Sequence, residues 1–274
     1  MKHYIPVLSI AGSDCSGGAG IQADLKTISA LGSYAATAIT AITVQNTCGV
    51  RAIHPVPAEI VKGQIAAVME DIHPKAIKIG MVNDTAVIRA IVESLKFYHP
   101  RHVVFDPVMV STSGHKLIED DAIRLITEEL MPLADVITPN LQEAEVLCGK
   151  QLSTVSDMQQ AAKELLKFGC KAVLLKGGHL GGNQMVDVLL MVGRTAPRLY
   201  SATKVESRNT HGTGCSLSSA IATLLAQGRS LPEAVDGAKT YVREGIRKGK
   251  DIEIGSGHGP LNHFFAPIPM KIKE

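Results

Sequence analysis

The sequence predicts an α/β fold, with a mostly parallel central sheet covered by helices on both faces. Three observations carry that expectation. Short apolar runs alternate with stretches of helical spacing as far as Lys176. Glycine pairs then flank a further apolar run, which suits antiparallel strands at one edge. Finally, the segments that end the apolar runs carry glycine or polar residues, as loops on one rim of such a sheet would.

In order, Ile5–Ala11 reads as the first buried strand and Ile21–Leu31 as the helix after it. Strands follow at Ala35–Thr43, Ala76–Ile79, His102–Asp106, Asp135–Thr138 and Ala172–Lys176. Between them, Ala58–Asp71, Thr85–Tyr98, Asp120–Met131, Gln142–Leu147 and Asp157–Phe168 show apolar residues at helical spacing. Gly177-Gly178 and Gly181-Gly182-Asn183 are turn signals around Val186–Met191, and two helices close the pattern at Cys215–Ala226 and Pro232–Arg247. Repeats, low-complexity tracts and linkers are absent from the sequence, so one domain is expected over residues 1–274.

With 45% hydrophobic and 20% charged residues, the composition is that of a globular protein with a sizeable core. Tryptophan is absent and aromatics make up 4%, which argues against stacking platforms for single-stranded nucleic acid. A formal charge of +2 is no nucleic-acid footprint, and the basic cluster Arg243–Lys250 lies at a helix end where cations complement the dipole. The five cysteines are scattered and never paired as C-x-x-C, which points to a reducing cytoplasm rather than a disulfide framework or zinc ribbon. His211 and Cys215 form at most half a metal site, with no partner pair of suitable spacing. The run Ile5–Ala11 is too short for a signal-peptide core, and no stretch approaches the roughly 20 apolar residues of a membrane span.

The most informative segment is Asn209-Thr210-His211-Gly212-Thr213-Gly214-Cys215-Ser216-Leu217, which opens a long helix of small and apolar residues. Glycines around Thr213 at a helix start can aim consecutive backbone N–H groups at one point, where the dipole favours an anion. The same field is expected to favour the Cys215 thiolate. A plain glycine-rich helix cap would use the same residues. Asn140 and Glu143 share a face at a helix start and, with Asp106, could supply oxygens to a magnesium ion, directly or through water. Helix capping is the alternative for that pair. Lys176, a charge at the end of an apolar run, is a candidate phosphate ligand or an exposed edge residue.

Other motifs fail. Gly18-Ala19-Gly20-Ile21-Gln22-Ala23 fits a dinucleotide fingerprint, but Ala35–Gln45 lacks the acidic residue that would hold a ribose. The segment from Gly12 begins like a P-loop and then lacks the Lys-Ser/Thr step, and no G-x-S-x-G elbow occurs.

Together, the segments Ala11–Thr27, Gln45-Asn46-Thr47, Lys78–Met81, Asp106–Met109, Thr138–Ala144, Lys176–His179 and Thr210–Leu217 resemble the ribokinase-like vitamin kinases. Within these, the pattern is similar to the hydroxymethylpyrimidine and phosphomethylpyrimidine kinases of thiamine synthesis. The resemblance implies a ribokinase-like three-layer sandwich, a homodimer, and transfer of phosphate from MgATP. The implied acceptor is the hydroxymethyl group of 4-amino-5-hydroxymethyl-2-methylpyrimidine, and then the resulting monophosphate. It assigns Gln45 and Asp24 to the pyrimidine edge, Gly12 and Val108 to its pocket, and Gly212, Thr213 and Gly214 to an anion hole. It makes Cys215 the catalytic proton acceptor, sets Asn140, Glu143 and Asp106 around magnesium and phosphates, and turns Lys176 and Thr138 toward the nucleotide. Cys15 stands where the pattern usually has proline and His115 where it has aspartate. The segment Pro107–His115 is expected to help close the site. Pyridoxal kinase is the nearest alternative activity, and a non-catalytic vitamin-binding protein on the same fold a remoter one.

Overall fold

Each apolar run from Ile5 to Lys176 lies in one nine-stranded sheet. The structure, a computed structural model, describes residues 2–109, 118–178 and 183–273. In chain order its elements are β1 (His3–Tyr4), β2 (Pro6–Asp14), α1 (Gly20–Ala30), β3 (Tyr34–Asn46), β4 (Gly49–Pro55), α2 (Ala58–Asp71), β5 (Ala76–Ile79), α3 (Thr85–Tyr98), β6 (Val103–Phe105), α4 (Asp120–Leu125), β7 (Val136–Ile137), α5 (Leu141–Cys148), α6 (Val155–Leu166), β8 (Ala172–Leu175), β9 (Gln184–Met191), β10 (Arg198–Thr203), α7 (Thr213–Ala226), α8 (Leu231–Gly249) and β11 (Ile272–Lys273).

The strand order is β10-β9-β8-β7-β6-β5-β2-β3-β4. From β3 through β8 neighbouring strands pair in parallel, while β4 at one edge and β9 and β10 at the other run antiparallel. Alternate residues of the parallel strands feed separate cores. Leu8, Ile77, Val103 and Leu175 pack with α2, α3, α5 and α6, whereas Val7, Ala76, Val104 and Leu174 pack with α1, α7 and α8. Both faces are therefore dry, which is why the strands read as continuous apolar runs. The result is a three-layer, ribokinase-like sandwich.

Two differences from the sequence expectation have physical causes. Strand β3 runs on to Asn46 and turns back into β4, whose residues are exposed along its whole length and whose scattered Val50 and Ile53 form no continuous apolar run. The helix expected over Asp120–Met131 is α only to Leu125, then π over Ile126–Leu130 and 3-10 over Met131–Leu133. Pro132 has no N–H, and its ring crowds the carbonyl four residues back, so the helix widens and then tightens before it ends. The turn expected at Gly181-Gly182, and His115 with most of the segment expected to close the site, lie outside the described residues.

Strand β2 pairs with β3 on one side and β5 on the other, so the chain leaves it in one direction and returns in the opposite one. The crevice beyond the carboxyl ends of such strands is where open α/β sheets bind ligands. Helix α7 packs on β2, β5 and β6 and is buried without interruption from Ser216 to Ala226, which its small side chains permit. Among the described residues no helix is long and apolar enough to cross a membrane.

Candidate active site

The glycines at the start of α7 do different jobs. Gly212 is left-handed (φ 75°), and a Cβ there would lie 1.9 Å from the Gly18 carbonyl oxygen. Only glycine lets the loop after β2 and the start of α7 touch backbone to backbone. Thr213 N–H is spent on Thr210 O and Ser216 N–H on Gly212 O. Gly214 and Cys215 thus contribute first-turn N–H groups for which the helix has no acceptor. Lys176 Nζ and Asp106 Oδ2 lie 3.4 and 3.5 Å from where a Gly214 Cβ would stand. A positive side chain and the positive end of a helix converge there, an arrangement suited to a phosphoryl group.

Lys176 bonds Asp106 Oδ1 at 2.9 Å, and Thr138 Oγ1 donates to the same oxygen at 2.8 Å. Ser218 Oγ lies 3.4 Å from the other oxygen. Burial alone would raise the Asp106 carboxyl, but Lys176 and Lys78 hold it below the ordinary range. Burial likewise opposes the charge of Lys176, and Asp106 with Glu143 outweighs it, raising that ammonium. The end of β8 is itself braced. Gly177 N–H donates to Asp187 Oδ1 at 2.9 Å, and the other oxygen of Asp187 is bonded by Lys239. A Cβ on Gly177 would meet Val186 O at 2.0 Å, so this turn too requires glycine.

Thr138 has no exposed surface, and its hydroxyl is committed to Asp106. It orients that carboxylate instead of facing a nucleotide. Asn140 and Glu143 form a full capping box on α5: Asn140 Oδ1 accepts from Glu143 N–H at 2.9 Å, and Glu143 Oε2 from Asn140 N–H at 2.8 Å. Burial pushes the Glu143 carboxyl up to about 7, with nearby Lys176 pulling it down. Lys176 and Thr138 hold Asp106 Oδ1, whereas the one hydroxyl hydrogen of Ser218 has nearer acceptors in Gly214 O (3.0 Å) and Cys215 O (3.1 Å), so Asp106 Oδ2 keeps lone pairs toward the start of α7. Among the described residues no cluster of three or more His, Cys, Asp or Glu could hold a metal ion. These donors fit a magnesium ion only if phosphates and water supply most of its shell, which is how that ion is usually held beside a nucleotide.

Asp24 also lies away from the pocket. Helix α1 turns it toward α7 and the sheet, with no exposed surface. Its carboxylate accepts from Ser9 Oγ (2.5 Å), Ser219 Oγ (2.6 Å) and Lys78 Nζ (2.8 and 3.0 Å). Every lone pair of use to a pyrimidine is taken, which corrects the expectation of substrate contact. Lys78, fully buried in the middle of β5, was not singled out as a site residue from sequence. Burial opposes its charge, but Asp24, Cys215 and Asp106 outweigh that and raise its pKa.

Cys215 sits half-buried beside this network. Burial pushes its thiol up to about 11; Lys78 and a bond from Gly20 N–H pull it down, while Asp24 and Asp106 push it further. The resting group is a thiol, against the expectation of a favoured thiolate. The helix dipole acts on it, but desolvation and two carboxylates win.

At the other end of the pocket, Gln45 lies with its amide 3.2 Å from His211 Nε2, and His211 Nε2 is 3.0 Å from Asp14 Oδ2. Cys15 donates its thiol proton to the Gln45 backbone carbonyl at 3.0 Å. A Cβ on Gly12 would stand 2.9 Å from Met81 Cε, so the two meet closely. Val108 is half-buried and follows Asp106 closely on the chain, its N–H bonded to Asp106 O. His211 and Asp14 complete this end, and neither was picked out as a binding residue from sequence. The sequence offers His211 only as half a metal site and Asp14 only within the segment Ala11–Thr27, because their meeting at Gln45 is tertiary.

Known proteins resemble this chain over most of its length. The family described as Phosphomethylpyrimidine kinase matches residues 14–262. The chain belongs to that family. It is 52% identical over 258 residues to the hydroxymethylpyrimidine/phosphomethylpyrimidine kinase of Rhizobium meliloti, covering 94% of this chain and 96% of that relative. A solved phosphomethylpyrimidine kinase from Clostridium difficile superposes with a TM-score of 0.79 at 48% identity, covering 88% of this chain and 99% of that one. The ADP complex of Bacillus subtilis pyridoxal kinase superposes with a TM-score of 0.87 at 34% identity, covering 95% and 97%. The protein is a kinase.

Proposed function

We propose that this kinase transfers the γ-phosphoryl group of ATP to the hydroxymethyl oxygen of 4-amino-5-hydroxymethyl-2-methylpyrimidine, and then a second phosphoryl group to the monophosphate. The observation that carries this is one continuous segment, His211–Cys215, that ends in an anion pocket at Gly214 and begins at the amide of Gln45. An amide offers a donor and an acceptor to the paired amine and ring nitrogen of an aminopyrimidine. The ADP complex of the pyridoxal kinase neighbour supports nucleotide use on this fold.

In the first step the hydroxymethyl oxygen forms a bond to the γ-phosphorus, the bond to the β-phosphate oxygen breaks, and one proton leaves the alcohol. The loose transition state asks chiefly for alignment and neutralised charge. Gly214 and Cys215 N–H groups and Lys176 provide that charge, and Asp106 with Thr138 holds Lys176 in place. Cys215 accepts the proton through its minor thiolate fraction. In the second step the nucleophile is a phosphate oxygen, and no base is needed. Glu143 and Asn140 would hold the water shell of a magnesium ion, which when bound would supply neutralisation of the triphosphate charge.

The protein acts as a single domain over residues 1–274 and as a homodimer. Ile42, Val44, Val50 and Ile53 are exposed on the β3–β4 ribbon, an apolar edge that association would cover. A sedimentation experiment should find a dimer; a monomer at micromolar concentration would contradict this. All five cysteines are free thiols, which supports a cytoplasmic location.

The deciding assay incubates the protein with MgATP and either the hydroxymethylpyrimidine or pyridoxal, and follows products by mass spectrometry. The mono- and then diphosphate of the pyrimidine is the expected result. Phosphate on pyridoxal alone would move the activity to vitamin B6 salvage, and product from neither would leave a binding protein.

A further inference from the structure

Building on the pyrimidine-kinase reading, we infer that Asp14 and His211 are positioning residues that lock the Gln45 side-chain amide in one orientation and so select the hydrogen-bond pattern of the acceptor ring. Asp14 Oδ1 accepts from Ser16 N–H at 2.9 Å and Ser16 Oγ at 2.7 Å; Oδ2 accepts from Gly18 N–H at 3.1 Å and Ala19 N–H at 2.8 Å. Burial alone would raise this carboxyl, but His211, Ser16 and Ala19 together hold it well below the ordinary range, so it only accepts. His211 Nε2, 3.0 Å from Oδ2, must then carry a hydrogen.

The same Nε2 is 3.2 Å from one end of the Gln45 amide, and Thr43 Oγ1 is 3.2 Å from the other. With the amide nitrogen toward His211, two N–H donors would face each other. At the other end, Thr43 would have to donate its one hydroxyl hydrogen both to Gln45 and to Ser13 O, which lies 2.8 Å away. Both conflicts vanish when the amide is turned end for end, its two ends being nearly the same shape. The amide oxygen then shares the single Nε2 hydrogen of His211 with Asp14 Oδ2 in a three-centre bond, and the amide NH2 donates to Thr43, whose own hydrogen stays on Ser13 O. His211 has little room to yield, because a Cβ on Gly18 would lie 2.4 Å from its Cδ2; the ring is seated against glycine backbone.

One lone pair and one N–H of Gln45 remain, with a fixed order. A 4-aminopyrimidine edge, with an amine donor beside a ring-nitrogen acceptor, matches that order. The 4-oxo analogue presents a carbonyl acceptor beside a ring N–H donor. It would need the amide reversed, setting NH2 against the His211 N–H. Sites built around hydrogen bonds discriminate strongly when the partner's pattern is wrong.

The test compares kcat/KM for the 4-amino substrate and its 4-oxo analogue in wild type, His211→Leu and Thr43→Val. Wild type should favour the amine by about 100-fold or more. Each variant should narrow that ratio by about tenfold, since either leaves the amide free to turn. Parallel losses on both substrates, with the ratio unchanged, would reduce His211 to a structural role and overturn the inference. Nitrogen-15 NMR of the free protein reads the lock without any substrate. A protonated His211 Nε2 is expected, and an unprotonated Nε2 would overturn the proposal. If wild type phosphorylates neither ring, the pyrimidine-kinase reading falls while the NMR result still decides the lock.

Discussion

Two lysine–aspartate pairs stand near the start of α7, and they differ in access. Lys78 and Asp24 have no exposed side-chain surface, and two serine hydroxyls close the carboxylate. Lys176 and Asp106 form the same kind of bond, yet the Lys176 side chain is 16% exposed and lies next to Gly214. The closed pair has every partner it needs and no route to a ligand. The open pair keeps a cation at the mouth of the anion pocket. Chemistry alone does not separate structural from working charges; what separates them is whether a lone pair or a proton is left to face the crevice.

The largest effect expected from breaking the closed pair is on stability. Asp24→Asn leaves Lys78 as an uncompensated buried charge, and removing one partner of such a pair costs about 3–5 kcal/mol. Denaturant unfolding measures it, and a loss below about 1 kcal/mol would mean the pair is more hydrated than its burial implies. Next comes Cys215→Ala. Alcohol phosphorylation should fall by about 100-fold, the lower end for loss of a general base, while phosphorylation of the monophosphate changes by less than about tenfold. Because burial pushes the thiol up to about 11, the wild-type alcohol step should quicken as pH rises above neutrality, and the variant should not. Equal losses on both steps in single-turnover assays would remove Cys215 from proton transfer.

The two glycines divide in the same way between holding and working groups. Gly212→Ala forces a Cβ to 1.9 Å from Gly18 O in a left-handed residue, so it should destabilise the fold and lower the melting temperature. Gly214→Ala meets Lys176 and Asp106 only at ordinary contact distances, 3.4 and 3.5 Å. It should melt like wild type and still lose about tenfold or more in kcat/KM, because its methyl group stands beside the phosphoryl position. Equal melting temperatures for the two variants would refute the distinction.

The smallest effect concerns Glu143. Its carboxyl is raised from 4.5 to about 7 by burial, so across that interval the native state keeps a proton the unfolded chain has lost. Stability from this group is therefore full below pH 4.5 and declines as pH rises toward 7. Glu143→Gln keeps the capping box, since glutamine serves at the same position, and should flatten the pH dependence of the urea midpoint. An unchanged slope would show that Glu143 does not titrate there.

Much of the fold was legible because burial on both faces writes itself as apolar runs; α2 and α3 begin and end where the sequence placed them. Strand β4 was not legible, since an exposed ribbon needs no apolar pattern. In the site, Gly212–Cys215 and Lys176 could be read locally because helix starts and strand ends have their own chemistry. Lys78 could not. A charge inside the apolar run Ala76–Ile79 makes sense only once Asp24, 54 residues away, is folded against it. His211 joins Gln45 and Asp14 across 166 and 197 residues, a link no local spacing contains. The thiol of Cys215 misled for a related reason: the helix start is a local feature, while the burial and carboxylates that oppose it are tertiary.

On this reading the open pair works and the closed pair holds. The most direct test measures unfolding free energy and single-turnover phosphoryl transfer together in Lys176→Gln and Lys78→Met. Lys176→Gln leaves Lys78 to offset the buried Asp106 and an amide able to bond it, so it should lose clearly less stability than Lys78→Met and lose about 100- to 1,000-fold in transfer. Lys78→Met should lose about 3–5 kcal/mol of stability, with transfer in its folded fraction reduced far less. Transfer that survives in Lys176→Gln but collapses in folded Lys78→Met would contradict the claim.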